Sequence, residues 1–166
     1  MPTATQRQTG NISTVSMLKF SRDGLTAAYN NIGGEVINCQ SGQALNTGDI
    51  VYTGANSKVL KSTTASNYAG YVGVVVGGKL TGSDNIVYGT GIPVTNATDQ
   101  LVYVQISGNA LVVDGGTVTP GTHFSVVPDT VTAGRVIAGA TAATIVGATV
   151  TAGVAAAEMI MRIEHR

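Results

Sequence analysis

From residue 35 onward the chain is a succession of short runs rich in Val, Ile and Tyr, cut by clusters of Gly, Asn, Asp and Ser. Runs of four to eight β-branched and aromatic residues between turn-forming clusters are the signature of an all-β sandwich or barrel. The candidate strands are Glu35–Asn38, Asp49–Tyr52, Lys58–Ser62, Tyr71–Val76, Asn85–Tyr88, Leu101–Ile106, Ala110–Val113, His123–Val127, Arg135–Ala138, Thr144–Val150 and Glu158–Glu164. Composition agrees, because Gly, Thr, Val and Ala supply about half of the 166 residues. Only 11% are charged and 5% aromatic, which is too apolar for generic disorder and too poor in Leu, Glu and Lys for a helical bundle. Residues 1–33 mix polar and turn-forming residues and are expected to form an extended N-terminal arm, with residues 34–166 as one small β-barrel or β-sandwich domain.

Two stretches repeat. Leu45-Asn46-Thr47-Gly48-Asp49-Ile50-Val51 aligns with Val118-Thr119-Pro120-Gly121-Thr122-His123-Phe124, and Tyr71-Val72-Gly73-Val74-Val75-Val76 aligns with Ile145-Val146-Gly147-Ala148-Thr149-Val150. Each unit reads as a turn that delivers a strand, a variable hairpin, and a strand whose Gly permits a bulge or a close backbone approach. The expectation is a pseudo-symmetric domain whose halves contribute equivalent strands to one barrel. Leu101–Ile106 and Ala110–Val113, joined through Ser107-Gly108-Asn109, predict a hairpin, since a Gly-Asn pair supplies positive φ angles. Both faces of the first of these runs are apolar, and so are both faces of Glu158–Glu164, which predicts cover on two sides and points to a second subunit.

The search for chemistry yields no catalytic, cofactor-binding or metal-binding residues. Nine Lys and Arg against nine Asp and Glu leave no net charge and no basic footprint for nucleic acid. Gly73–Lys79 has the glycines and the Lys of a phosphate-binding loop, but Leu80 replaces the required hydroxyl and three valines favour a strand. His123 and His165 with the lone Cys39 make no zinc set and no nucleophile–base pair, and Cys39 is expected to be a small apolar packing residue. Asp84, Asp99, Asp114 and Asp129 are evenly spaced, yet each stands in a turn setting where its carboxylate bonds nearby backbone N–H groups, so turn chemistry is expected rather than calcium. Lys58 and Lys61 read as guards of an edge strand. Val136–Ala157 is uncharged and long enough to span a bilayer, but it lacks Leu and aromatic anchors, so two strands with small-residue turns are expected and no membrane association. Residues 1–16 carry no apolar core of a secretory signal.

Ala44-Leu45-Asn46-Thr47-Gly48-Asp49-Ile50-Val51-Tyr52, the Tyr71–Val76 strand, Gly121-Thr122-His123-Phe124, Ile145-Val146-Gly147-Ala148 and the closing Ile160-Met161-Arg162-Ile163 together resemble the small capsid decoration, or cement, proteins of tailed bacteriophages. The resemblance covers residues 35–166, with Thr122 standing where the first unit has an acidic residue. It implies a non-enzymatic β protein without cofactors, commonly a homotrimer, whose partner is the major capsid protein and whose place is the capsid surface of the virion. A fibre or receptor- or glycan-binding β module of a virion is the alternative, weakened by the absence of Trp and the scatter of two Phe and six Tyr. A hydrolase with an unrecognised carboxylate pair is a further rival, as no pair stands out among the acidic residues.

Overall fold

A computed structural model describes residues 34–63, 70–81, 89–116, 118–139 and 145–164. The expected arm at residues 1–33 and the expected strand Asn85–Tyr88 lie outside the described residues. The protein is nearly all β, and its sheets are open rather than closed into a barrel, so the sandwich-like alternative holds.

The first sheet contains β1 (Val36–Gln40), β3 (Ile50–Thr53), β4 (Val59–Lys61), β5 (Tyr71–Gly78) and β7 (Leu101–Gln105), in the order β1-β7-β5-β3-β4. The second contains β8 (Asn109–Val113), β9 (Ser125–Pro128), β10 (Val136–Ala138), β11 (Gly147–Thr149) and β12 (Glu158–Ile163), in the order β10-β9-β11-β12-β8. Every pairing within them is antiparallel. A two-stranded sheet of β2 (Leu45–Asn46) and β6 (Pro93–Thr95) completes the set, and neither strand was expected from the sequence. Both are too short to show a periodicity.

Matched in chain order, the two large sheets have one topology: β1, β3, β4, β5 and β7 correspond to β8, β9, β10, β11 and β12. Hydrogen bonds outside the ladders repeat as well. Ser41 makes a parallel bridge to Val59 as Asp114 does to Val136, and the N–H groups of Gly42 and Gly115 donate to Val59 and Val136, each at 2.8 Å. Asp99 N–H donates to Ser41 and Ala156 N–H to Asp114, and both donors hold a positive φ, 61° and 59°. Gly91 N–H donates to Thr47 O, and Gly153 N–H to Pro120 O, at 2.8 Å each, which upholds the alignment of Thr47 with Pro120. Gly73 lies opposite Val51 and Gly147 opposite Val126. A Cβ on Gly73 would run into the Gln105 carbonyl, and one on Gly147 into the Arg162 carbonyl, so both glycines permit the close backbone approach read from the sequence.

Three sequence expectations are corrected. The repeat does not build one barrel, since each half forms its own sheet. Gly48 corresponds to His123, not to Gly121: both sit at positive φ, 82° and 61°, and both donate into β5 or β11, to Val75 O and Thr149 O. Gly121 and Thr122 are therefore an insertion in the second half. The expected hairpin at Ser107-Gly108-Asn109 is a corner between sheets: β7 pairs with β1 and β5, while β8 pairs with β12. The buried Gln105 amide holds this corner by donating to the carbonyls of Ser107 (2.8 Å) and Asn109 (2.7 Å), leaving Gly108 at φ 76°. Local turn chemistry was right about the bend, while β8 takes its partner, β12, from far along the chain.

Each half has a core. In the first, Val51, Val59, Val75, Val102 and Val104 are buried with Leu45 and Val94. In the second, Val126, Val136, Met159 and Met161 take the matching places. Residues alternate along a strand, so Ile50 and Val74 point to the opposite side of the first sheet and join the second core. This crossing of side chains from the first half into the second joins the two sheets.

Candidate interaction surface

The junction between the halves is built on Asp49, Ile50 and Ser62. Gly134, buried and at φ 85°, inserts its peptide between β3 and the residue after β4: Ile50 N–H donates to Gly134 O at 2.9 Å, and Gly134 N–H donates to Ser62 O at 2.7 Å. A Cβ there would lie 2.6 Å from Asp49 Oδ1, so the slot admits only Gly. Asp49 is 9% exposed, accepts the Asn46 N–H at 2.7 Å, and pairs with Lys61 at 3.0 Å. Burial pushes its carboxyl above the ordinary Asp value, opposed by the Asn46 N–H and by the Lys61 and Arg135 charges.

On the second half the matching positions are open. Phe124 stands where Asp49 does, Ser125 where Ile50 does, Ala138 where Lys61 does and Gly139 where Ser62 does, the last shown by Gly139 N–H donating to Ser125 O as Ser62 N–H does to Ile50 O. With His123 these residues line a shallow, open depression. Phe124 is 59% exposed. The ion pair of the first half is thus replaced by an apolar surface. Thr149 makes the inserted Gly121-Thr122 fit: buried at the position of Val75, its hydroxyl donates to Gly121 O (2.6 Å) and accepts from Phe124 N–H (2.9 Å). Val118, Val131 and Val154 are also exposed, on connections of the same half, and Leu80 and Leu101 are exposed in the first half.

The sequence singled out no catalytic, cofactor or metal residue, and the structure locates the side chains weighed for those roles. Among the described residues no three His, Cys, Asp or Glu come together. Asp114 and Asp129 each accept a backbone N–H two residues on, from Gly116 (2.8 Å) and Val131 (3.0 Å), which is the turn chemistry expected. Asp99 pairs with Lys58 at 2.8 Å, and that hydrogen bond holds its carboxyl below the ordinary value; Asp84 lies outside the described residues. His123 is exposed in the turn before β9 and not in the strand where the sequence placed it, because the left-handed conformation ends the extended run. His165 lies outside the described residues. Gly73–Gly78 is strand, and Lys79 opens a three-residue 3-10 turn. Lys58 directly precedes the edge strand β4 and Lys61 ends it. Cys39 is half-buried against the first core, which raises its thiol pKa. Val136–Ala138 and Gly147–Thr149 are the two strands expected within the uncharged segment, and among the described residues no helix is long and apolar enough to cross a membrane.

Phe124 is the residue that sequence reading passed over. Its signal was present, since one of only two Phe residues follows directly on a Gly-Thr-His turn. Aligning Gly48 with Gly121 hid it by matching Phe124 to the buried Val51. No protein-family model matches the chain, and no curated protein matches it.

Proposed function

We propose that this is a structural, non-enzymatic virion protein that binds the outside of a phage major capsid lattice as an oligomer, with a trimer favoured, and stabilises it there. The carrying observation is the exposed Phe124 in the open depression of the second half, where the first half has a buried ion pair; Val118, Val131 and Val154 are further exposed apolar side chains on connections of that half. Low charge density and a duplicated all-β scaffold suit a protein that buries its surface against neighbours. The N-terminal residues 2–30 are the proposed capsid-facing element, because a polar leader gains area when it orders along a surface.

Light scattering of the purified chain, followed by co-sedimentation with expanded capsids, tests this reading. A stable trimer that pellets saturably with capsids is the expected result; a chain that stays in the supernatant overturns it. Deletion of residues 2–30 is expected to abolish pelleting, and unchanged binding would remove the leader from the reading. A second reading, a glycan-binding virion module, draws on Phe124 beside His123 in the open depression, where an aromatic face could stack on a sugar. Binding on a glycan array that is lost in Phe124→Ala would favour it over decoration.

A further inference from the structure

The first core is left half-open at the places where the second core is closed. Ile37, Cys39, Val72 and Ile106 of the first half are half-buried. Their counterparts Ala110, Val112, Val146 and Ile163 are 0, 0, 0 and 7% exposed. The register sets these pairs: Ile37 and Cys39 lie opposite Val104 and Val102, as Ala110 and Val112 lie opposite Met161 and Met159. What closes the second core is the outer side of the first sheet, with Ile50 and Val74. Among the described residues one junction therefore has the outer side of one half covering the core of the next, while the core of the first half stays partly exposed at Ile37, Cys39 and Val72 and the outer end of the second half stays exposed at Phe124.

We propose that a second copy of this chain makes that second junction: the second half of one copy, through its His123–Ser125 face, covers the first core of the next copy. The contact is head-to-tail, so it uses two different patches and propagates until it closes into a ring. Within one chain Gly134 of the turn between β9 and β10 fills the slot between Ile50 and Ser62. The corresponding slot lies between Ser125 and Gly139, and it is the open depression. The corresponding plug is Ser57, which precedes Lys58 as Gly134 precedes Arg135. Lys58 O accepts from Gly54 N–H as Arg135 O accepts from Asp129 N–H, which sets the match. Ser57 is exposed and holds φ 59°, in the same left-handed region as Gly134 at 85°. Replacement of Asp49 and Lys61 by Phe124 and Ala138 makes the free slot apolar, as a face closed by association requires. This inference deepens the oligomer of the proposed function and does not depend on the capsid.

The test uses the full chain in a Cys39→Ser background, with Ser57→Cys on one copy and Ala138→Cys on the other, co-expressed and treated with a short bis-maleimide. Covalent dimers from the mixed pair, and none from either single variant alone, are expected. Dimers from one single variant alone would mean a two-fold contact and overturn the proposal, as would no link in the mixture. Light scattering gives an independent readout. The wild-type chain is expected to be oligomeric, and Phe124→Asp, at an exposed position and so expected to leave the far-ultraviolet circular dichroism unchanged, is expected to raise the dissociation midpoint about tenfold or more. A wild-type monomer, or an unchanged mass for Phe124→Asp, overturns the proposal. Alkylation of Cys39 in the unmodified chain adds a third arm: protection that is lost in Phe124→Asp supports cover by a second copy, whereas protection lost only on deleting residues 1–33 assigns the cover to the N-terminal segment and overturns it. Capsid co-sedimentation is read separately, so a monomer that still pellets would sink the ring and the oligomer while leaving capsid binding standing.

Discussion

The first half of the chain and the second share a strand order, a pair of parallel bridges and matched glycines, but their surroundings differ. The first half gives its outer side, Ile50 and Val74, to a neighbour within the chain. At the matching places the second half carries Ser125 and Ala148, with Phe124 exposed beside them. Conversely, the second core is closed and the first is half-open. A duplicated fold therefore preserves what its backbone needs at every copy, while its side chains diverge according to what each copy touches. Gly73 and Gly147 stayed glycine because a carbonyl occupies the space of a Cβ in both. Asp49 and Phe124 diverged because only one of them faces Gly134.

The largest effects should come from the shared glycines. Gly73→Ala and Gly147→Ala each force a Cβ into a strand carbonyl, and each is expected to cost about 3 kcal/mol or more in urea unfolding. Tolerance at one site with loss at the other would break the equivalence of β5 and β11. Next come the residues at which the halves differ. Ile50→Ala empties a fully buried position in the second core and is expected to lower stability by about 3 kcal/mol, whereas Ser125→Ala at the matching place should change it by less than about 0.5 kcal/mol in the dissociated chain. Similar losses at both would show that the two outer sides are already equally covered.

Thr149 sharpens the comparison further. Thr149→Val makes the second half resemble the first at this position but strands the Gly121 carbonyl and the Phe124 N–H, at an expected cost of about 1 to 2 kcal/mol by thermal melting. The converse Val75→Thr buries a hydroxyl where no insertion needs it, and a loss of about 1 to 3 kcal/mol is expected.

The smallest effect is in the response to pH. Asp49 has its pKa raised by burial, so the folded chain binds more protons than the unfolded one just above the ordinary Asp range. Asp49 therefore favours folding at the acid side of that window, and its contribution declines as pH rises through it. Asp99, lowered by its hydrogen bond to Lys58, acts with the opposite sign just below that range. Melting temperatures of the wild type and Asp49→Asn, compared between about pH 3 and 6, should show the wild type losing ground to the variant as pH rises. A difference that grows in the other direction would mean that the Lys61 pair outweighs burial.

Much of this fold could be read from the residues. Nine of the eleven candidate strands lie wholly in described segments and a tenth, Thr144–Val150, lies there from Ile145 on; each coincides with an observed strand to within a few residues. Asp114 and Asp129 made the turn bonds expected of them, whereas Asp99 pairs with Lys58, and the repeat was visible in Gly73 and Gly147. The short β2 and β6, the corner at Gly108 and the two-residue insertion were not legible. Their causes lie in partners distant along the chain: Thr95 for Leu45, Gln105 and β12 for the corner, and Thr149 for Gly121. For Phe124 the residue itself was in view after its Gly-Thr-His turn, but its exposure was not, since exposure of one aromatic residue is a property of what fails to cover it.

By itself the sequence determined that the chain is a β protein of short strands, that it is internally repeated, and that its turns fall at the Gly, Asn and Asp clusters, because side-chain alternation and backbone freedom act over neighbouring residues. Only the tertiary structure decided which strands pair, that the repeat forms two sheets instead of one barrel, and that one outer side is covered while its counterpart is open. Those outcomes depend on which apolar surfaces meet across the fold, and burial is a sum over distant contacts that no local pattern contains.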